Sequence, residues 1–143
     1  MDIQQSLGYL LNTCARCIKR KLDIEIKHYN ITTSQWAVLK LLFKENRLSQ
    51  AEIAEKTNMD RATCGTIIDK LISKELVQKE LCENDRRSYI VKILPGTFEI
   101  INEVSILAED VNQVALDGLS DSDIDNLHNY LITIINNLDR KDM

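Results

Sequence analysis

Apolar residues recur at steps of three and four along most of this chain and alternate with polar ones in two short stretches. Leu7, Leu11, Cys14, Ile18 and Leu22 mark one face of a long amphipathic helix over residues 5–28, which Asn30 and Thr32–Thr33 break. A second helix, 34–45, carries Trp36, Val38, Leu39, Leu41, Leu42 and Phe43 and is apolar enough to be mostly buried. Asn46 and Arg47 connect it to a compact signal, Leu48-Ser49-Gln50-Ala51-Glu52-Ile53. There the Ser49 hydroxyl can accept from the Glu52 amide and the Glu52 carboxylate can reach back, while Leu48 and Ile53 sit where a hydrophobic staple would. This predicts a short helix over 50–56 that stops near Thr57-Asn58. Asp60 caps the next helix, 61–74, whose buried stripe is Cys64, Ile67, Ile68 and Leu71. Two short helices joined by so brief a turn have helix-turn-helix geometry.

Two strands follow. Val77, Lys79 and Leu81 alternate with polar neighbours, as do Tyr89, Val91 and Ile93, and the loop 83–87 joins them as a hairpin, or wing. The remainder is helical. Ile100, Ile101, Val104, Leu107, Ala108, Val111, Val114 and Ala115 form one broad stripe. Ser120 and Asp123 repeat the capping logic ahead of a seam at Ile124, Leu127, Leu131, Ile134 and Leu138, spaced like a helix-packing surface between copies of the chain. The expected fold is one domain over 1–143, mainly α, with a small two- to three-stranded β-wing. In it a winged helix-turn-helix module, 31–94, is flanked by dimerisation helices, 1–30 and 95–143.

Composition narrows the function. One proline and four glycines fit long helices better than a many-stranded sheet. No apolar run is long enough to span a bilayer and the start of the chain lacks a signal-peptide core, so a cytoplasmic protein with no membrane partner is expected. Four cysteines (Cys14, Cys17, Cys64, Cys82) suit a reducing compartment, where they remain thiols. His28 and His128 stand in no metal-ligand spacing and no nucleophile or phosphate-loop motif occurs, so neither enzyme activity, metal nor cofactor is expected. The net charge of −4 argues against a nucleic-acid partner, but its distribution changes that. Residues 1–92 hold 16 Lys/Arg against 12 Asp/Glu, and residues 93–143 hold 2 against 10. The acidic third is thus separate from the module that could meet a polyanion.

With the 64/67/68/71 stripe turned inward, Ala62, Thr66, Asp69 and Ser73 point away from it, and Arg61 and Thr63 stand at the helix's leading end. Arg61, Ala62, Thr63 and Thr66 are therefore candidates for base edges, with Gly65 flanking them and Lys70 and Lys74 better placed for phosphate. At the wing tip, Arg86 and Arg87 suit a narrow, negative minor groove, and Asp85 is close enough to orient one of them.

In these stretches the chain resembles the MarR family of bacterial regulators. The likeness lies in SQWAVLKLL, in LSQAEIAEKTNMDRATCGTIIDKL, and in Asp85-x-Arg87 followed by Tyr89, Val91 and Leu94. The resemblance implies a homodimeric transcription regulator, taken here as a repressor, bound to a palindromic operator in double-stranded DNA. It also implies recognition helices in adjacent major grooves and wings in the flanking minor grooves. Carried over by position, Arg61 to Thr63, Gly65, Thr66 and Lys70 serve the recognition helix, Arg87 the minor groove, and Asp85 its orientation. Two departures stand out: Glu75 replaces a glycine that usually ends the recognition helix, and Pro95, acceptable at a first helical position, replaces a threonine. The family further implies a small aromatic or phenolic effector, for which Cys14, Cys17 and Trp36 are weak candidates. Two alternatives stay open: a thiol-based redox-sensing regulator acting through Cys14 or Cys17, and a protein-binding winged helix without DNA function.

Overall fold

The computed structural model describes residues 2–82 and 85–139, with the side chains of 85–88 outside that description. The elements run α1 (Leu7–Ile26), α2 (Thr33–Lys44), β1 (Leu48–Ser49), α3 (Gln50–Thr57), α4 (Arg61–Ser73), β2 (Val77–Cys82), β3 (Asp85–Ile93), α5 (Thr97–Ala115) and α6 (Asp121–Leu138). The protein is mainly α, with a three-stranded antiparallel sheet in the order β1-β3-β2. By contacts the chain divides into two compact units, Met1–Val111 and Asn112–Met143, with the boundary inside α5. No helix among the described residues is long and apolar enough to cross a membrane.

In the first unit the core is built where the sequence pattern placed it. Trp36, Val38, Leu39 and Leu42 of α2 pack with Ile53 and Ala54 of α3, the Cys64/Ile67/Ile68/Leu71 stripe of α4, and Ile101 and Val104 of α5. Removing this much apolar side chain from water is the main stabilising term, about 1.5–3 kcal/mol for each large side chain fully buried. Phe43, expected inside, is 49% exposed and meets Phe98 edge-on at 5.8 Å between ring centroids.

Helix ends follow local chemistry. Ser49 accepts from the Glu52 amide and the Glu52 carboxylate accepts from the Ser49 amide, each at 3.1 Å, as the capping box requires. Leu48 and Ile53, the staple, are both buried. Asn30 and Thr32 separate the first two helices as expected, and Thr32 also opens α2 through a capping box with Gln35. The first helix is shorter than expected, giving way at Lys27 to a 3-10 turn that ends on left-handed Asn30. Pro95 precedes α5 by two residues instead of starting it. In its place the Thr97 hydroxyl donates to the Leu76 carbonyl at 2.8 Å.

The sheet needs two corrections. The sequence pattern left β1 unassigned, because a two-residue strand carries no periodicity; it pairs Leu48 with Val91 and Ser49 with Ile90. The connection between β2 and β3 is shorter than the expected loop 83–87: Asp85 already pairs with Cys82, so Arg86 and Arg87 belong to β3. A register shift between Leu81 and Cys82 bends this end. At the base of the hairpin Val77 and Ile93 pair and are buried, whereas Leu81 and Tyr89, which pair further out, are exposed.

The second unit contains the end of α5 and α6. Gly118, at φ +89, makes the turn that a side chain would strain, and Ser120 and Asp123 form the expected capping box. Within the single chain Ile124, Leu127, Leu131 and Ile134 are half-buried, and Tyr130, Ile132, Ile135 and Leu138 are exposed.

Candidate nucleic-acid interface

The recognition-type helix is α4. Its leading end is fixed by Asp60, whose carboxylate accepts from the Thr63 amide at 2.7 Å and from the Thr63 hydroxyl at 2.9 Å. These bonds hold the Asp60 carboxyl below its ordinary range. With the apolar stripe seated in the core, Arg61, Ala62, Thr63, Thr66 and Lys70 are all exposed along one side, and Gly65 is half-buried between them. The structure thus brings these six candidates together. Two hydroxyls are already oriented: Thr63 donates to Asp60, and Thr66 donates to the Ala62 carbonyl at 3.1 Å. Each keeps lone pairs free to accept from a ligand. Arg61 makes no ion pair among the described residues.

Gly65 has a packing role that sequence reasoning missed. The Gln50 side chain, at the start of α3, lies over it, with Nε2 reaching the Arg61 carbonyl at 3.5 Å. Lys74, expected to face phosphate with Lys70, turns inward: its Nζ donates to the Asn30 carbonyl and, at 2.9 Å, to Gln35 Oε1. Burial, with a smaller effect of Lys70, lowers the pKa of this ammonium.

The end of α4 explains the Glu75 substitution. Glu75 takes φ +60, its amide donates to the Ile72 carbonyl at 2.9 Å, and the Leu76 amide donates to the Leu71 carbonyl at 3.0 Å. That is a Schellman ending with glutamate at the position glycine favours, so the helix ends as a glycine would end it.

The wing is tied to α4 by a contact that no local spacing signals. Lys79 Nζ stands 3.7 Å from Asp69 Oδ1 and 5.7 Å from the centroid of the Tyr89 ring. On the other face, Glu80 joins Arg47 at 3.1 Å and Lys92 at 2.5 Å, which holds its carboxyl low. The backbone of Asp85, Arg86 and Arg87 is placed at the outer end of β3, where Asp85 pairs with Cys82; the expected pairing of their side chains falls outside the described residues. Cys14 and Cys17 are exposed on α1, Cys64 is buried and Cys82 is half-buried. Trp36 is a core residue, 4% exposed. Among the described residues no cluster of His, Cys, Asp and Glu could hold a metal ion.

Comparison with known proteins agrees with this geometry. Residues 31–89 match the sequence model of the MarR family. A cysteine-to-serine mutant of MarR from E. coli, complexed with operator DNA, superposes with a TM-score of 0.86 at 22% identity, over 94% of this chain and 99% of that one. BpsR of Bordetella bronchiseptica, whose DNA binding is regulated by 6-hydroxynicotinic acid, gives 0.87 at 22% identity, over 94% and 96%. MepR of S. aureus, in a DNA complex, gives 0.84 at 17% identity, over 96% and 99%. Residues 31–89 of this chain are a MarR-family domain, carried in the winged helix-turn-helix fold of the MarR-type structures.

Proposed function

We propose that this chain is a sequence-specific DNA-binding transcription regulator, a repressor acting as a homodimer on a palindromic operator. The observation that carries this reading is the exposed side of α4, where Arg61, Ala62, Thr63 and Thr66 stand together at the leading end of a helix anchored by four buried residues. An α-helix fits the major groove, and its first turns meet base edges. In the proposal Lys70 neutralises phosphate, Gly65 lies within the DNA-facing side between Thr63 and Thr66, Arg87 enters the minor groove, Asp85 orients it and Arg86 stands beside it. The MarR and MepR structures hold DNA in the same fold, which supports this assignment.

A homodimer accounts for the apolar surface each unit leaves uncovered: Leu7, Leu10, Leu11 and Ile18 on α1, and separately Ile132, Ile135 and Leu138 on α6. The paired recognition helices then require two half-sites about one helical turn (~10 bp) apart. A small aromatic acid or phenol is a fitting effector class, by likeness to BpsR. A second reading, redox sensing, is favoured by the exposure of both Cys14 and Cys17. Retention of labelled operator-length duplexes, measured with and without oxidant, tests both. Duplex retention that oxidation abolishes supports the redox form of the proposal, and no retention under any condition removes the regulator.

A further inference from the structure

The side of α1 away from its apolar stripe carries Arg16, Lys19, Arg20 and Asp23, spaced at three and four so that they share one face, and Lys27 follows in the 3-10 turn just after the helix. With Ile24, the turn 30–32 and Lys74, they line an open surface cavity of about 710 Å³. Five cationic side chains thus surround one carboxylate, and that carboxylate is already engaged. Asp23 Oδ1 accepts from the Thr33 amide at 2.7 Å and the Thr33 hydroxyl at 2.6 Å. Its other oxygen lies 3.8 Å from Lys19. Among the described residues the Arg16 guanidinium reaches only the Thr13 hydroxyl, at 3.5 Å, and Arg20 and Lys27 make no ion pair. In a chain of net charge −4 this is a concentration of like charge that folding alone does not favour.

We infer that this cavity binds a small polyanion, a polycarboxylate or a phosphorylated compound, held by Arg16, Arg20, Lys27 and Lys74. Guanidinium forks match carboxylate and phosphate oxygens two at a time, and ammonium groups add point charges. Lys74 links the site to the recognition helix, because its ammonium straps the end of α4 to Asn30 and Gln35. An anion in the cavity competes for that ammonium. Its consequence for DNA affinity rests on the DNA-binding proposal; the site itself does not.

Calorimetric titration of the full chain with pyrophosphate and with citrate, at physiological salt and without DNA, tests the site. The expected result is saturable binding of at least one of them, one site per chain, weakened about tenfold or more in Arg20→Ala/Lys27→Ala. The anion-free melting temperature of that variant should be no lower, since both side chains are exposed and unpaired with any described carboxylate. No saturable binding of either anion, or binding unchanged in the double variant, overturns the inference. Duplex retention by the same variant separates the other source of phosphate. If DNA affinity falls while the wild type binds neither small anion, these cations serve a nucleic-acid backbone and the small-anion site is excluded.

Discussion

The side-chain amide of Gln50 lies directly over Gly65: a Cβ on Gly65 would stand 2.9 Å from Gln50 Nε2 and 3.6 Å from its Cδ. The obstacle is the far end of a flexible side chain, so Gln50 can swing aside. Alanine meanwhile gains about 1 kcal/mol over glycine in a helix interior. Gly65→Ala should therefore leave stability within about 1 kcal/mol of wild type. Gly65→Ala together with Gln50→Ala should exceed the sum of the single changes by at least about 0.5 kcal/mol. A urea double-mutant cycle measures this coupling; simple additivity would remove the contact.

Glu75 offers a test with the opposite sign from most substitutions. A non-glycine residue in the left-handed region costs about 1–2 kcal/mol, partly offset because glycine is freer in the unfolded chain. Glu75→Gly should stabilise the fold by about 0.5–1 kcal/mol after that offset, read as a higher urea midpoint. A lower midpoint would mean that the Glu75 side chain contributes more than the strain costs.

The caps make stability depend on acid. Bonds from Thr63 hold the Asp60 carboxyl low, and bonds from Ser49 do the same for Glu52. A depressed carboxyl binds fewer protons in the folded chain than in the unfolded one. Its stabilisation is present above the ordinary values, 3.8 for aspartate and 4.5 for glutamate, and is lost as pH falls through the lower folded values. Unfolding midpoints should drop steadily with acid below those values, and Asp60→Asn, which still caps a helix, should show a shallower slope. At neutral pH, Ser49→Ala should cost about 1 kcal/mol.

Much of this fold was legible because its signals are local. The Ser49–Glu52 box, the Asp60 cap and the four-residue stripe of α4 are each set within one or two helical turns. What escaped was set by distant partners: β1 exists because Leu48 meets Val91, and Lys74 turns inward because Asn30 and Gln35 await it across a sequence separation of 44 and 39 residues. Phe43 looked like core because helical spacing reports a face but not how far the covering elements extend. The exposed side of α4 was legible as the complement of its buried stripe, whereas the tie from Asp69 to Lys79 depends on how the hairpin crosses the helix.

The thiols should divide by exposure. Cys14 and Cys17 are exposed and Cys64 is buried, with burial as the main cause that pushes its thiol pKa up. A thiol reagent should modify Cys14 and Cys17 in the native protein and Cys64 only after unfolding, as peptide mass spectrometry would report. Native modification of Cys64 would contradict the packing of α4.

Assembly should be visible in mass. Two copies of the 16.4 kDa chain give a dimer near 33 kDa by light scattering. Ile135, 60% exposed in the single chain, can become arginine without disturbing the chain's own packing. Ile135→Arg should shift the population toward monomer, because it places an unpaired charge in the interface. A wild type that stays monomeric at micromolar concentration would contradict the proposed interface.

The central claim is that α4 and the wing read DNA, and selection from a random duplex library at physiological salt tests it most directly. The account predicts enrichment of an approximate palindrome with half-site centres about one helical turn (~10 bp) apart. Arg61→Ala or Thr66→Ala should change the preferred bases at a cost of about 1–3 kcal/mol for each lost base contact. Arg87→Ala should weaken binding most where A·T-rich sequence flanks the site. Recovery of no enriched sequence, with the protein folded, reduced and assayed with and without small anions, would contradict the account.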